Sequence, residues 1–142
     1  MTPEMPIPQG KYVPATRYDN IIFTAGMTPR KNGVLISTEA VRADVPVEAY
    51  REAVTLAAQN ALLAASGRLE AGESIVQLMQ LNVYIRTEQG FTLHAKIADL
   101  ATDYLVSALG PAGVCARTSV GVATLPGNAP VEIQLTAIAG NK

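Results

Sequence analysis

The chain has 142 residues, of which 49% are hydrophobic and 16% are charged, and its formal net charge is −1. This profile predicts one globular domain spanning 1–142 and excludes a disordered chain. The near-neutral charge argues against a nucleic-acid partner, and the longest apolar run, Ala61–Ala65, is too short to cross a membrane. One cysteine, Cys115, and an N-terminal stretch 1–9 without Lys or Arg fit a cytoplasmic protein.

The first part of the chain predicts an irregular arm followed by short strands. Residues 1–9 contain three prolines, which disfavour regular structure. Residues 12–18 and 21–26 are short β-type runs that meet at the turn dipeptide Asp19-Asn20. A second turn signal, rich in Asn and Gly, precedes a possible third strand at 34–36.

The middle of the chain predicts two helices separated by a long strand. Apolar residues recur at helical spacing in 47–65 and again in 91–108. The inner face of the first helix is mostly alanine, so it can pack closely on a sheet. Between the helices, 75–86 alternates as a strand. Its apolar side is predicted to consist of Ile75, Met79, Leu81, Val83 and Ile85.

Two further strands, 116–123 and 131–139, end the chain, which gives the element order ββ(β)αβαββ. Both helices can cover the apolar face of one sheet. The predicted fold class is therefore a two-layer α+β domain with a mostly antiparallel or mixed sheet.

The polar side of the last two strands is the candidate functional surface. If the aliphatic residues face the helices, Arg117, Ser119, Glu132 and Gln134 share the opposite face. The long strand would add Asn82, Tyr84 and Arg86. A solvated surface is the simplest interpretation of such a face. However, it is rich in uncharged polar residues, which also suit a subunit interface or a shared cleft.

Arg117 and Glu132 are the residues best suited to chemistry on that face. The planar guanidinium of Arg117 can hold a carboxylate in two parallel hydrogen bonds. Glu132 can accept a proton from a water molecule. The two residues could equally pair with each other as a structural ion pair, and the sequence leaves both readings open.

The composition restricts the other kinds of chemistry. With one His and one Cys, a His- or Cys-based metal site within one subunit is nearly excluded, and no phosphate-binding or dinucleotide-binding glycine motif is present. We therefore predict no metal and no cofactor. His94 is expected to be a solvated helix residue, and Cys115 is most simply a small buried apolar residue.

The segment 116–126, ARTSVGVATLP, is followed a few residues later by Val131-Glu132-Ile133. This combination is similar to the C-terminal signature of the RidA (YjgF) family. The stretch from Tyr12 to Gly26 is similar to its opening hairpin, with matching spacing. The resemblance covers nearly the whole chain.

The resemblance implies a chorismate-mutase-like α+β fold and a homotrimer with clefts between subunits. It also implies cofactor-free hydrolysis of enamines and imines, such as 2-aminoacrylate, to 2-oxo acids and ammonia. By matching positions, Arg117 would bind the substrate carboxylate and Glu132 would position the attacking water. Tyr12, the backbone at Gly26, and Ser119 would contact the substrate.

Two other functions are possible. At Met27 and Thr118 the chain departs from the pattern of deaminating members, which is consistent with a non-catalytic trimer that binds a small carboxylate in the same cleft. A ribonuclease, an activity attributed to some members, is disfavoured by the net negative charge and the few aromatic residues.

Overall fold

The computed structural model of the protein describes residues 4–141, so that positions 1–3 of the predicted arm lie outside the described residues. Residues 4–14 contain no helix or strand. Strands β1 (Ala15–Tyr18) and β2 (Ile21–Thr24) then form an antiparallel hairpin, which turns at Asp19 with φ 55°. A second, smaller hairpin consists of the two-residue strands β3 (Arg30–Lys31) and β4 (Val34–Leu35).

Two helices of 16 residues each follow the predicted positions. A 3-10 turn at Val47–Tyr50 leads into α1 (Arg51–Ser66), and α2 spans His94–Leu109. Between them lies β5 (Glu73–Arg86), and the chain ends with β6 (Ala116–Val122) and β7 (Val131–Asn141).

The five long strands form one mixed sheet in the order β1-β2-β7-β5-β6. Strands β5 and β6 run parallel and are connected through α2, whereas every other pair in this sheet is antiparallel. Strand β6 therefore lies at one edge of the sheet.

Both helices pack on the same face of the sheet, which confirms the predicted two-layer α+β architecture. The buried alanines of α1 face the sheet, where α1 contacts β7 and β2. Asn60 of α1 is a buried polar residue in this layer, and its Nδ2 donates to the carbonyls of Thr28 (3.1 Å) and Arg30 (2.9 Å). No helix in residues 4–141 is long and apolar enough to span a membrane.

The alternation predicted for β5 is wrong at one position. Register shifts occur between Ile75 and Gln77 and between Leu78 and Gln80. Each irregularity reverses the side to which the following residues point. Leu78 is consequently buried, with 1% of its surface exposed, and Met79, which was expected in the core, is 51% exposed.

The shared face predicted for Arg117 and Glu132 is also wrong. Strand β5 lies between β6 and β7, so those two strands do not form a ladder with each other. Arg117 is paired with the buried Leu81, which places Arg117 on the helix side of the sheet. Glu132 is paired with Tyr84 and lies on the opposite side.

Candidate functional site

The sheet face turned away from the helices, which we call the open face, carries a polar cluster at its centre. Tyr84 lies between Glu132 of β7 and Val120 of β6, and Asn82 lies beside Gln134. The Tyr84 hydroxyl donates to Oε1 of Gln134 at 3.0 Å. The sequence analysis placed these β5 and β7 side chains together, and the strand register agrees.

Glu132 occupies a half-buried position next to Gly26. The Gly26 segment is held against β7 by two backbone hydrogen bonds, Met27 N to Ile133 O (2.7 Å) and Ile133 N to Met27 O (2.8 Å). A Cβ atom at Gly26 would lie 2.7 Å from Cδ of Glu132 and 2.8 Å from its Oε2. The carboxyl group therefore occupies space that only a glycine leaves free.

The environment of Glu132 favours its protonated form. Burial raises the pKa of the Glu132 carboxyl above its usual value, because a charged group loses hydration there. Among residues 4–141, no hydrogen bond joins its side chain to another protein group. A carboxyl whose pKa lies closer to neutrality exchanges a proton more readily at physiological pH, which is the property required of a proton carrier.

Arg117 is oriented toward α2 at the edge of the sheet. Its Nη1 donates to Oδ1 of Asp99 at 2.9 Å and to Oγ1 of Thr102 at 3.0 Å, and its Nη2 donates to the carbonyl of Ala95 at 3.2 Å. The side chain is 22% exposed. Arg117 does not pair with Glu132, so the alternative of a structural ion pair between these two residues within one chain is excluded.

The remaining predicted contact residues fall into two groups. Tyr12 and Gly26 line a small cavity of about 60 Å³ together with residues of the N-terminal arm. The Tyr12 hydroxyl accepts a hydrogen bond from the backbone N–H of Gln9 (3.1 Å). Ser119 alternates with Val120 on β6 and lies on the helix side, like Arg117.

One chain therefore does not bring the predicted site residues to a single place. Gly26 contacts Glu132 and shares a cavity with Tyr12, whereas Arg117 and Ser119 lie on the other side of the sheet. In addition, β5 lies between β6 and β7, which sets these two strands roughly 10 Å apart. A substrate held by both Arg117 and Glu132 would need one residue from each of two copies of the chain.

The partners of Arg117 on α2 were not predicted from the sequence. Ala95, Asp99 and Thr102 are spaced by four and three residues, so they lie in one line along the helix. That spacing was present in the sequence. It could not be used because the pattern assigned Arg117 to the face away from the helices.

The single histidine and the single cysteine are both partly buried. His94 is half-buried rather than solvated, with its ring edge-on to Phe91 at a centroid distance of 5.4 Å. Burial raises the pKa of the Cys115 thiol, an effect that the charge of Arg117 opposes. In residues 4–141 no group of three or more His, Cys, Asp or Glu side chains is placed to hold a metal ion.

The chain thus combines two helices on one side of a mixed sheet, an acid on the open face and an arginine on the edge strand. A family model described as Endoribonuclease L-PSP matches residues 2–139. The chain therefore belongs to this family, which is the RidA (YjgF) family, as the sequence resemblance predicted.

Individual relatives agree with this assignment. Protein TCP17 of Trypanosoma cruzi is 30% identical over 130 residues, which cover 84% of this chain and 79% of TCP17. The crystal structure of Atu1372 from Agrobacterium tumefaciens, a protein of unknown function, is 30% identical with a TM-score of 0.82, over 94% of this chain and 86% of that one. The YjgF protein of E. coli shares the fold, with 22% identity and a TM-score of 0.65 over 94% and 92% of the two chains.

Proposed function

We propose that this protein hydrolyses small 2-imino and enamine carboxylates to 2-oxo acids and ammonia, without a cofactor, at sites between the subunits of a homotrimer. The observation that carries the proposal is the Glu132 carboxyl, which is half-buried against Gly26 with a raised pKa. Membership of the family supports the general role, and the imine substrate is what the family resemblance implies, with which the chemistry of the site is compatible.

The reaction requires positioning and proton transfer rather than a strong nucleophile. The carbon of a protonated imine is already electrophilic, and water adds to it while Glu132 accepts the proton of that water. Glu132 then returns a proton to the nitrogen of the tetrahedral intermediate. As the C–N bond breaks and ammonia leaves, the Glu132 carboxylate takes the proton of the hydroxyl group and the C=O bond forms. Transfer of that proton to ammonia gives ammonium and restores the carboxylate.

The second copy is required to bring Arg117 to the substrate carboxylate. Within one chain Arg117 and Glu132 lie on opposite sides of the sheet. Arg117 is on the edge strand β6, where a neighbouring subunit can approach it. An arginine there can hold the carboxylate in two charge-assisted hydrogen bonds of roughly 1.5–3 kcal/mol each.

The open face supports association of identical subunits. It exposes large apolar side chains, including Phe23 (52%), Met79 (51%) and Val120 (39%), around the polar cluster. Exposed apolar surface of this kind commonly marks an interaction site. We therefore propose that three copies pack through this face, each contributing Glu132 to one cleft and Arg117 to the next.

An RNA substrate is less well supported. On the open face Arg86 is the cation that the strands contribute, and its guanidinium donates to the carbonyls of Thr38, Asn128 and Ala129. An RNA-binding surface needs several free cations along a phosphate backbone.

We assign the activity to the cytoplasm, because the chain carries one unpaired cysteine.

The enzymatic test measures 2-oxo acid formed from an imino acid that is generated in situ, relative to the rate in buffer. We expect Arg117→Ala and Glu132→Gln each to remove most of the acceleration. Arg42→Ala is the matched control, because Arg42 forms an exposed ion pair with Asp44 away from the site (2.9 Å). Binding of pyruvate without any acceleration would instead establish a carboxylate-binding protein, and unchanged turnover in Arg117→Ala would contradict the assigned site.

The assembly test measures the mass in solution by light scattering. We expect wild type to be a trimer and Phe23→Glu to dissociate it, because a charge would be buried in the interface. Val34→Glu is the control, since Val34 is 68% exposed on the β3–β4 hairpin, outside the open face. A monomeric wild type, or a Phe23→Glu variant that remains trimeric, would contradict the proposed interface.

A further inference from the structure

Arg117 is fixed by three acceptors that all come from one line of residues on α2. These acceptors differ in chemistry: a carboxylate from Asp99, a hydroxyl from Thr102 and a backbone carbonyl from Ala95. A single exposed ion pair holds an arginine weakly. Three acceptors arranged along one helix define both the position of the guanidinium and the plane in which it lies.

The pattern of used and unused donors is informative. A guanidinium has five N–H donors: two on each Nη and one on Nε. Both donors of Nη1 are used, by Asp99 and Thr102, and one donor of Nη2 is used by Ala95. Among the hydrogen bonds of residues 4–141, the Nε–H and the second N–H of Nη2 have no acceptor. Those two nitrogens can bind both oxygens of one carboxylate.

We infer that Asp99 and Thr102 are positioning residues, which hold Arg117 so that the Nε and Nη2 donors stay open to a substrate carboxylate. This inference rests on the proposed function. It extends the site to α2, a helix that contributes no residue to the reacting atoms. It also gives the side of Arg117 on which the carboxylate binds, opposite to Nη1.

The two α2 side chains should affect binding more than the chemical step. The substrate carboxylate does not react, so its contact with Arg117 is present both in the bound substrate and in the transition state. Loss of such a uniform contact raises KM and leaves kcat nearly unchanged. Without the acceptors of Asp99 and Thr102, the Arg117 side chain samples many rotamers. Each productive binding event must then fix one rotamer, which costs side-chain conformational entropy.

The test compares two double variants that differ in whether the acceptors are retained. Asp99→Ala with Thr102→Val removes both acceptors, and the second substitution does so at similar volume. Asp99→Asn with Thr102→Ser keeps an acceptor oxygen at each position. We expect the first to raise KM for the imino acid and Kd for pyruvate roughly ten-fold with kcat within about two-fold. The second should remain close to wild type in all three constants.

Asp103→Ala is the matched control, because Asp103 lies on α2 like Asp99 but pairs with Arg51 of α1, at 3.1 Å, rather than with Arg117. Its carboxylate is 58% exposed, compared with 61% for Asp99. If Asp99→Ala with Thr102→Val behaves like Asp103→Ala, or if its KM falls, the inference is wrong. If wild type neither accelerates the reaction nor binds pyruvate, the proposed function fails instead, so the two failures are distinguishable.

Discussion

Replacing Gly26 with alanine tests the position of the Glu132 carboxyl without altering that residue. The new Cβ would lie 2.7 Å from Cδ of Glu132, and ordinary van der Waals contact begins at 3.4 Å. The carboxyl group must therefore move by about 0.7 Å or more. The end of a flexible side chain can make this movement, and the backbone of Gly26 does not have a positive φ. We expect the free energy of unfolding to change by less than about 1 kcal/mol.

The catalytic effect of that movement should be much larger than its effect on stability. Displacing a catalytic group by about 1 Å can reduce the rate roughly a hundred-fold. We expect kcat of Gly26→Ala to fall about 10- to 100-fold in the imino acid assay. The accompanying measurement is thermal unfolding, which should show a Tm close to that of wild type.

Gly67→Ala provides the matched control for this experiment. Its Cβ would lie 2.7 Å from Cε of Met5, which is also the end of a flexible side chain, and none of the three atoms nearest to that Cβ belongs to Glu132. We expect wild-type kcat in this variant. A wild-type kcat in Gly26→Ala, or an equal loss in both variants, would refute the role assigned to the Glu132 position.

Three further predictions concern stability. Burial in the folded state raises the pKa of Glu132, so this carboxyl stabilises the fold below pH 4.5, and that contribution is lost as the pH rises through the folded pKa. We therefore expect Glu132→Gln to raise Tm at pH 7–8 but not at pH 4. The hydrogen bond from Arg17 (2.6 Å) lowers the pKa of Glu73 to about 2, so this pair stabilises the fold above pH 4.5, and that stabilisation is lost as the pH falls toward 2. Glu73→Gln should therefore flatten the decline of Tm between pH 4.5 and pH 2. Asn60→Ala should lower the free energy of unfolding by about 1–3 kcal/mol in urea unfolding, because the carbonyls of Thr28 and Arg30 lose their donor. The neighbouring substitution Gln59→Ala should have little effect.

The secondary structure could be predicted because it depends on local patterns. The alanine-rich face of α1, the apolar positions of α2 and the alternation of β7 each specify one element, and the structure has these elements within a few residues of the predicted bounds. Asp19-Asn20 likewise turns the first hairpin, with Asp19 at positive φ. The two-layer class then follows, because helices with one apolar face must cover a sheet.

The strand order could not be predicted in the same way. An alternating pattern says which residues share a side of a strand but not which strands are neighbours. The prediction that Arg117 shares a face with Glu132 was wrong for this reason and for a second one. At the edge strand the aliphatic Val120 lies on the open face, where it is 39% exposed, and the polar Arg117 lies on the helix side. The usual assumption that aliphatic residues face the helices is reversed there.

The position of β6 at the edge of the sheet also bears on the solubility of the subunit. In the described part of the chain no other strand pairs with its outer side, so its outward backbone N–H and C=O groups are free to pair with another chain. Its seven residues contain no proline, and their one charged side chain, Arg117, bends back toward α2. An uncovered β6 edge would thus be suited to uncontrolled strand addition, and a neighbouring subunit that covers it would protect the protein against aggregation.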